Sequence, residues 1–296
     1  MTLLGRKWRG GWRLAGNLIS GVRDDGPFFG YRDALRWHVT PLFNQIRHYA
    51  GAPLRSAPVD VRLHGDFPVW LRTLTSDYAA YRQIFREREY ANVENLEDVE
   101  FVLDCGANVG LASIYFLRRF PRARVLAVEP DPENFAMCRR NLAPYGERAM
   151  VLQAGVWSHS TRLAVLQSRF GAAEKWGVQV RPFRSDDPAE AAVDAYDIPA
   201  LMEYAGVRKV DLLKLDIERS ELEVFSSSQD QWLPAVRHLV IELHGEDCER
   251  AFFPALEPYE YRLSHRGDLT YCLDLKPRSP GFSARDAAAG RQMRTG

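Results

Sequence analysis

A doubly wound α/β fold with a mostly parallel sheet is what this sequence predicts, because short apolar runs alternate with amphipathic helical patterns along its second half. The clearest unit is Val99 to Phe120, VEFVLDCGANVGLASIYFLRRF, in which Val99, Phe101, Val102 and Leu103 form a β-favouring run. Leu111, Ile114, Tyr115 and Leu117 then recur at helical spacing. A second unit follows at Arg124 to Asn141, and a third, VDLLKLDIERSELEVF, at Val210 to Phe225.

In chain order, the first 23 residues carry Arg6, Lys7, Arg9, Arg13 and Arg23 with no acid, interleaved with Trp8, Trp12, Leu14, Leu18 and Ile19. That composition suits an anionic membrane surface, although five glycines weaken any helix there by about 1 kcal/mol each. A helical pattern over Tyr31 to Tyr49, interrupted at Pro41, leads into a linker, APLRSAP, at 52 to 58. Residues 1 to 58 are therefore expected to form a basic tail and helical extension.

Residues 59 to 98 read as a cap. Val59 to Thr75 predicts two short strands around a Gly65 to Pro68 turn, and Ser76 to Tyr90 a helix capped by Ser76 or Asp77. Asp77 is also a candidate for positioning a substrate. The α/β core spans 99 to 275, and a polar tail over 276 to 296 is expected to be disordered.

Within the core, Gly106 and Gly110 permit a tight turn between strand and helix, leaving free helix-start N–H groups above the sheet. A dinucleotide fold needs glycine where phosphates approach, yet Asn108 stands between these glycines and Asp104 closes the strand with a negative charge. S-adenosylmethionine, which has an amino group and a sulfonium but no phosphate, fits Asp104, Gly106, Asn108 and Gly110 better. Glu129 ends the next strand 19 residues beyond Gly110, close to the ~20-residue offset of a ribose-binding carboxylate. Pro130 stops that strand, and Pro132 occupies an early helical position. A third strand, Ala149 to Gln153, brings Gln153 to the adenine side.

Regular alternation lapses from Gly155 to Ala195, where Leu163 to Gln167 and Val178 to Phe183 predict an inserted hairpin beside Trp157, Arg169, Trp176 and Arg184. Such insertions above the carboxyl edge of a sheet shape substrate pockets. In DLLKLDIE, Lys214 interrupts a buried run, and Asp216 and Glu218 end it. Buried charge requires a partner or a use, so Asp216 should meet Asp104 at the shared crevice. In VRHLVIELH, Glu242 and His244 occupy alternate positions and share a face. A helix over Glu246 to Leu256 and a hairpin of Tyr259 to Leu263 with Leu269 to Leu275, turning at Arg266 to Asp268, complete the core.

With 296 residues, 46% hydrophobic, the chain can bury a large core, and its 39 basic and 39 acidic residues give no global charge that would favour nucleic acid. No apolar run approaches the ~18 residues of a membrane span. Cys105, Cys138, Cys248 and Cys272 lack disulfide or metal spacing, which predicts reduced thiols in a cytoplasmic protein.

These stretches resemble the FkbM-type S-adenosylmethionine-dependent methyltransferases from about Asp60 to Leu275. DCGANVG at 104 to 110 looks like the family's cofactor loop, AVEPDPEN at 127 to 134 its ribose-binding segment, and DLLKLDIE at 211 to 218 with IELH at 241 to 244 its later signatures. LRTLTSDYAAYRQIFREREY at 71 to 90 is similar to the segment preceding its core. The resemblance implies a Rossmann-like, seven-stranded class I methyltransferase sheet with its last strand inserted antiparallel. It also implies O-methylation of a hydroxyl on a sugar, glycolipid or polyketide-like acceptor. Where the family usually carries glycine, this chain has Arg219, so either the turn differs or Arg219, beside Glu218, reaches an anionic substrate.

The expected chemistry is in-line methyl transfer without a metal. The general base is His244 or Asp216, with Glu242 orienting His244 and Lys214 fixing Asp216. An NAD(P)-dependent oxidoreductase and a non-catalytic cofactor-binding protein are the alternatives.

Overall fold

The computed structural model describes residues 19–27, 30–39, 58–62, 68–72, 75–166 and 177–278. Most of the basic N-terminal segment, residues 52–57 of the linker, the turn between 63 and 67, Arg169, Trp176 and the C-terminal tail beyond 278 lie outside them. Two helices, α1 (19–27) and α2 (31–39), precede an antiparallel pair, β1 (Pro58–Arg62) and β2 (Pro68–Arg72). Helix α3 (Asp77–Tyr81) runs directly into a π-helical turn, Arg82–Arg86. The single helix expected to Tyr90 therefore stops early. Arg88 adopts a left-handed φ of 55° that turns the chain, and a 3-10 turn, Glu89–Val93, follows.

The core then alternates as its pattern predicts. It contains β3 (Phe101–Cys105), α4 (Leu111–Arg119), β4 (Arg124–Val128), α5 (Pro132–Leu142) and β5 (Ala149–Leu152). After an insertion come α6 (Ile198–Tyr204), β10 (Val210–Leu215), α7 (Glu221–Ser226), α8 (Gln229–Trp232), β11 (Val236–Glu242) and α9 (Glu246–Leu256). The hairpin β12 (Tyr259–Arg266) and β13 (Leu269–Pro277) closes the chain. Asp131 caps α5 by accepting from the N–H groups of Glu133 and Asn134, with Pro132 just inside, the capping that the sequence pattern requires.

Seven strands form one sheet in the order β12-β13-β11-β10-β3-β4-β5. All neighbours from β11 to β5 are parallel, whereas β13 lies antiparallel between β11 and β12. This is the Rossmann-like class I arrangement expected. All of β3 is buried, and its side chains alternate between two cores. Val102 joins Ile114, Leu117, Tyr81 and Tyr90 on one face; Phe101, Leu103 and Cys105 join Leu201, Phe225 and Phe252 on the other.

The insertion is larger than a hairpin. Strand β7 (Thr161–Val165) does pair antiparallel with β8 (Val180–Pro182). Strands β6 (Gly155–Val156) and β9 (Ala192–Tyr196) extend the pair into a four-stranded sheet ordered β6-β9-β7-β8. Trp157, Leu163, Val193 and Ala195 form its own small core, so Trp157 packs rather than facing an open pocket.

Candidate active site

The carboxyl ends of β3, β4, β10 and β11 meet beneath a cavity of about 340 Å³, roofed by Gln83, Ile84, Glu89 and Tyr90 of the cap. The glycine loop fixes one wall. Gly106 has φ +79°, and a Cβ there would stand 1.7 Å from the Asp216 carbonyl oxygen, so no side chain fits between the ends of β3 and β10. Gly110 has φ +84° and packs against Cys138 of α5.

Register explains the charges behind this loop. Lys214 on β10 sits opposite Asp104 on β3, so both side chains project from the same face. Lys214 Nζ lies 3.3 Å from Asp104 Oδ1 and 3.5 Å from Asp216 Oδ2, and donates to the Gly106 carbonyl at 2.6 Å. Burial alone would lower the lysine's pKa, but the two carboxylates outweigh it and hold the ammonium well above its ordinary value. Ser113 Oγ donates to the other Asp104 oxygen at 2.6 Å. Asp104 thus braces the loop through Lys214 and does not reach the cavity wall, where the sequence had set it as a cofactor ligand.

Glu129 and Asn108 do line the cavity. Glu129 Oε2 accepts from the Asn108 N–H at 2.8 Å and Oε1 from the Asp131 N–H at 3.0 Å, while burial pushes its carboxyl up to about 7 against these bonds. Asn108 is held at φ 51°, and its Oδ1 is buried with no protein partner. Gln153 is exposed just past β5, away from the cavity, because the chain turns to Ala154 and Gly155 before reaching the wall.

On the opposite wall, Asp216, Glu218, Glu242 and His244 converge. His244 Nε2 lies 3.8 Å from Asp216, 3.7 Å from Glu218 and 3.4 Å from Glu242. Its Nδ1 meets Glu221 at 3.2 Å, and Glu221 also accepts from the Ile217 N–H at 2.8 Å. Burial would depress the imidazole, but Glu221 and Glu242 push its pKa up to about 11. The orienting carboxylate is therefore Glu221, which sequence spacing missed; Glu242 approaches the same ring nitrogen as the cavity acids. The signal was present as a second acid, three residues after Glu218, at the start of a helical pattern.

Two predicted substrate residues are committed elsewhere. Asp77 is fully buried and accepts from Arg72 N, Nε and Nη2 at 2.8, 3.0 and 2.8 Å, so it ties the cap helix to β2 rather than facing the cavity. Arg219 keeps the left-handed φ, 81°, that glycine would favour, and its half-exposed guanidinium turns to the His244 carbonyl at 3.3 Å and to Asp247 at 3.6 Å. The turn therefore has the left-handed form that glycine favours while the side chain points to α9. Glu89, which pattern reading passed over, lines the cavity and accepts from Gln83 Nε2 at 2.8 Å; its carboxyl is pushed up to about 7 by burial. All four cysteines are buried and free.

This geometry agrees with comparison to known proteins. Residues 104–266 match the family model of the methyltransferase FkbM domain. The chain belongs to the FkbM methyltransferase family. It is 30% identical over 189 residues to methyltransferase sdnD of Sordaria araneosa, covering 55% of this chain and 73% of that protein. The 31-O-demethyl-FK506 methyltransferase FkbM of Streptomyces tacrolimicus is 28% identical, covering 56% of this chain and 74% of its own. The 2-O-methyltransferase NoeI of Sinorhizobium fredii is 25% identical, covering 64% and 79%.

As an FkbM methyltransferase the protein draws on S-adenosylmethionine, and its cavity suits that molecule. Lys214 and His244 are the basic side chains on the lining, and acids already engage both, so neither is free for a pyrophosphate. A buried carboxylate and an unpartnered amide oxygen instead offer acceptors to ribose hydroxyls and an amino group.

Proposed function

We propose that this FkbM methyltransferase transfers a methyl group to a hydroxyl oxygen of a carbohydrate-containing or secondary-metabolite acceptor. The observation that carries the reading is the two-sided cavity: Glu129 and Asn108 on one wall, and Asp216, Glu218, Glu242 and His244 on the other. Two relatives, a 31-O-demethyl-FK506 methyltransferase and a 2-O-methyltransferase, support oxygen as the acceptor atom.

Glu129 would hold the ribose hydroxyls, with the glycine loop and Asn108 beside it. When bound, S-adenosylmethionine supplies a methyl group made electrophilic by the adjoining sulfonium charge. The protein has to align an oxygen, exclude water and take up one proton. Alignment supplies the larger share, roughly 7 to 11 kcal/mol, against about 10²- to 10⁴-fold in rate from proton removal. Gln83, Ile84 and Tyr90 cover the cavity, and Asp216, with Lys214 beside it, receives the acceptor proton; His244, the other expected base, is held protonated by Glu221 and Glu242 and orients the cluster instead.

The test is incubation of the full chain with S-adenosylmethionine and a panel of sugars, glycolipids and hydroxylated polyketides, following S-adenosylhomocysteine release and the methylated product by mass spectrometry and NMR. A new O-methyl signal is expected. Asp216→Asn should lower turnover by at least about 10²-fold. Methylation of nitrogen or carbon would sink the hydroxyl assignment. Cofactor binding without acceptor-dependent turnover would favour a binding protein, and tighter binding of NADH an oxidoreductase.

A further inference from the structure

We propose that Asp216, Glu218 and His244 form a binding site for one divalent cation of the Mn²⁺ or Mg²⁺ type, with Glu242 as a fourth ligand and Glu221 holding the histidine from behind. One ligand atom from each of the first three residues lies within 4.8 Å of the others. His244 Nε2 is 3.4 Å from Glu242 as well. Separations of roughly 3 to 4 Å are what ligands about 2.1 Å from a common ion require. The sequence offers these four residues as hard ligands but no helical or loop ligand spacing, because they come from two chain segments brought together by the parallel pairing of β10 with β11.

Two further observations favour a cation. His244 turns Nδ1 toward the fully buried Glu221 at 3.2 Å, the carboxylate–histidine arrangement that orients a metal-ligating ring, and the ion would take the place of the proton on Nε2. The cavity is also short of positive charge. Its lining carries Glu89, Glu129, Asp216, Glu218, Glu242 and Asp268 against Lys214 and His244, and Lys214 is shared with buried Asp104. Three carboxylates and one imidazole make a predominantly hard donor set that suits Mn²⁺ or Mg²⁺. On the proposed function, the ion would face the acceptor and draw its hydroxyl oxygen into place, lowering that hydroxyl's pKa.

The experiment uses the full chain stripped with EDTA and titrated with Mn²⁺, reading free Mn²⁺ by electron paramagnetic resonance. One Mn²⁺ per chain is expected, displaced by excess Mg²⁺. Asp216→Asn, Glu218→Gln and His244→Gln should each weaken it at least tenfold, and Glu221→Gln by about 10- to 100-fold. Glu246→Gln, on the exposed start of α9, should leave it unchanged. Circular dichroism and calorimetric binding of S-adenosylmethionine verify that each variant is folded. Absence of stoichiometric Mn²⁺, or equal binding by the cluster variants that remain folded, would overturn the site. Mn²⁺ binding in a protein that does not methylate hydroxyls would leave the cation site standing and refute the proposed function.

Discussion

Glu129 shows how one residue carries both a legible signal and a hidden one. Its offset from the glycines pointed to the cavity wall, where it stands, but the sequence did not reveal that two backbone N–H groups and Asn134 would hold it inside the protein. That burial raises its carboxyl to about 7, well above its ordinary 4.5. A carboxylate that accepts ribose hydroxyls must be ionised. Below about pH 7 the free protein holds a proton there, and binding has to expel it. Affinity for S-adenosylmethionine should therefore level off above pH 7 and fall toward tenfold per unit below it. Calorimetry from pH 5.5 to 8 checks this, and Glu129→Gln should weaken binding at pH 8 while flattening the profile. A wild-type affinity that is flat across this range would remove Glu129 from the ribose site. Asp104 illustrates the opposite outcome: its position at the strand end was legible, but the strand register that delivers Lys214 to it was not.

At the scale of elements, the cap was legible as two strands and a helix, yet its turning point was not. Nothing in ERE marks Arg88 for a left-handed conformation, because arginine carries no intrinsic preference for it; packing of Tyr90 against Tyr115 and Phe116 imposes the turn that sends Glu89 into the cavity. The anchor of this cap is the Arg72–Asp77 pair, buried on both sides and linked to α5 through Arg72 Nη2 to Asn134 Oδ1 at 2.7 Å. Removing one partner of a buried pair strands the other, a loss of about 3 to 5 kcal/mol. Asp77→Ala should lower unfolding free energy by that amount in chemical denaturation. Arg72→Met together with Asp77→Leu should recover much of it, since no lone charge remains. A substrate-positioning role for Asp77 would instead show as weakened acceptor binding with unchanged stability.

At the scale of the whole molecule, alternating strands and helices made the parallel part of the sheet legible. The insertion was not, because β6 pairs with β9 across nearly the full length of the segment, and two- and three-residue strands leave almost no periodic signal. The closing hairpin was legible as elements, whereas its place beside β11 followed only from family resemblance. That placement buries His238. Its Nδ1 accepts from the Asp274 N–H at 3.0 Å across the β11–β13 seam, and its Nε2 is buried without a partner, so the ring is held neutral. Burial, assisted by the nearby positive charge of Arg237 against the pull of Asp274 and Asp211, lowers its pKa from 6.5 to about 4. The unfolded chain takes up this proton as pH falls below 6.5, whereas the folded chain resists until about 4. Stability is therefore full above pH 6.5 and drains away across that interval, by about 3 kcal/mol at 1.36 kcal/mol per unit. His238→Asn keeps an acceptor near the Asp274 N–H and removes the titration. Urea denaturation at pH 7, 5.5 and 4.5 should show the wild-type protein losing stability more steeply than the variant, with the gap between their slopes confined to the range below pH 6.5. Parallel slopes would mean that His238 is already protonated in the folded sheet, and that the seam between β11 and β13 admits a charge.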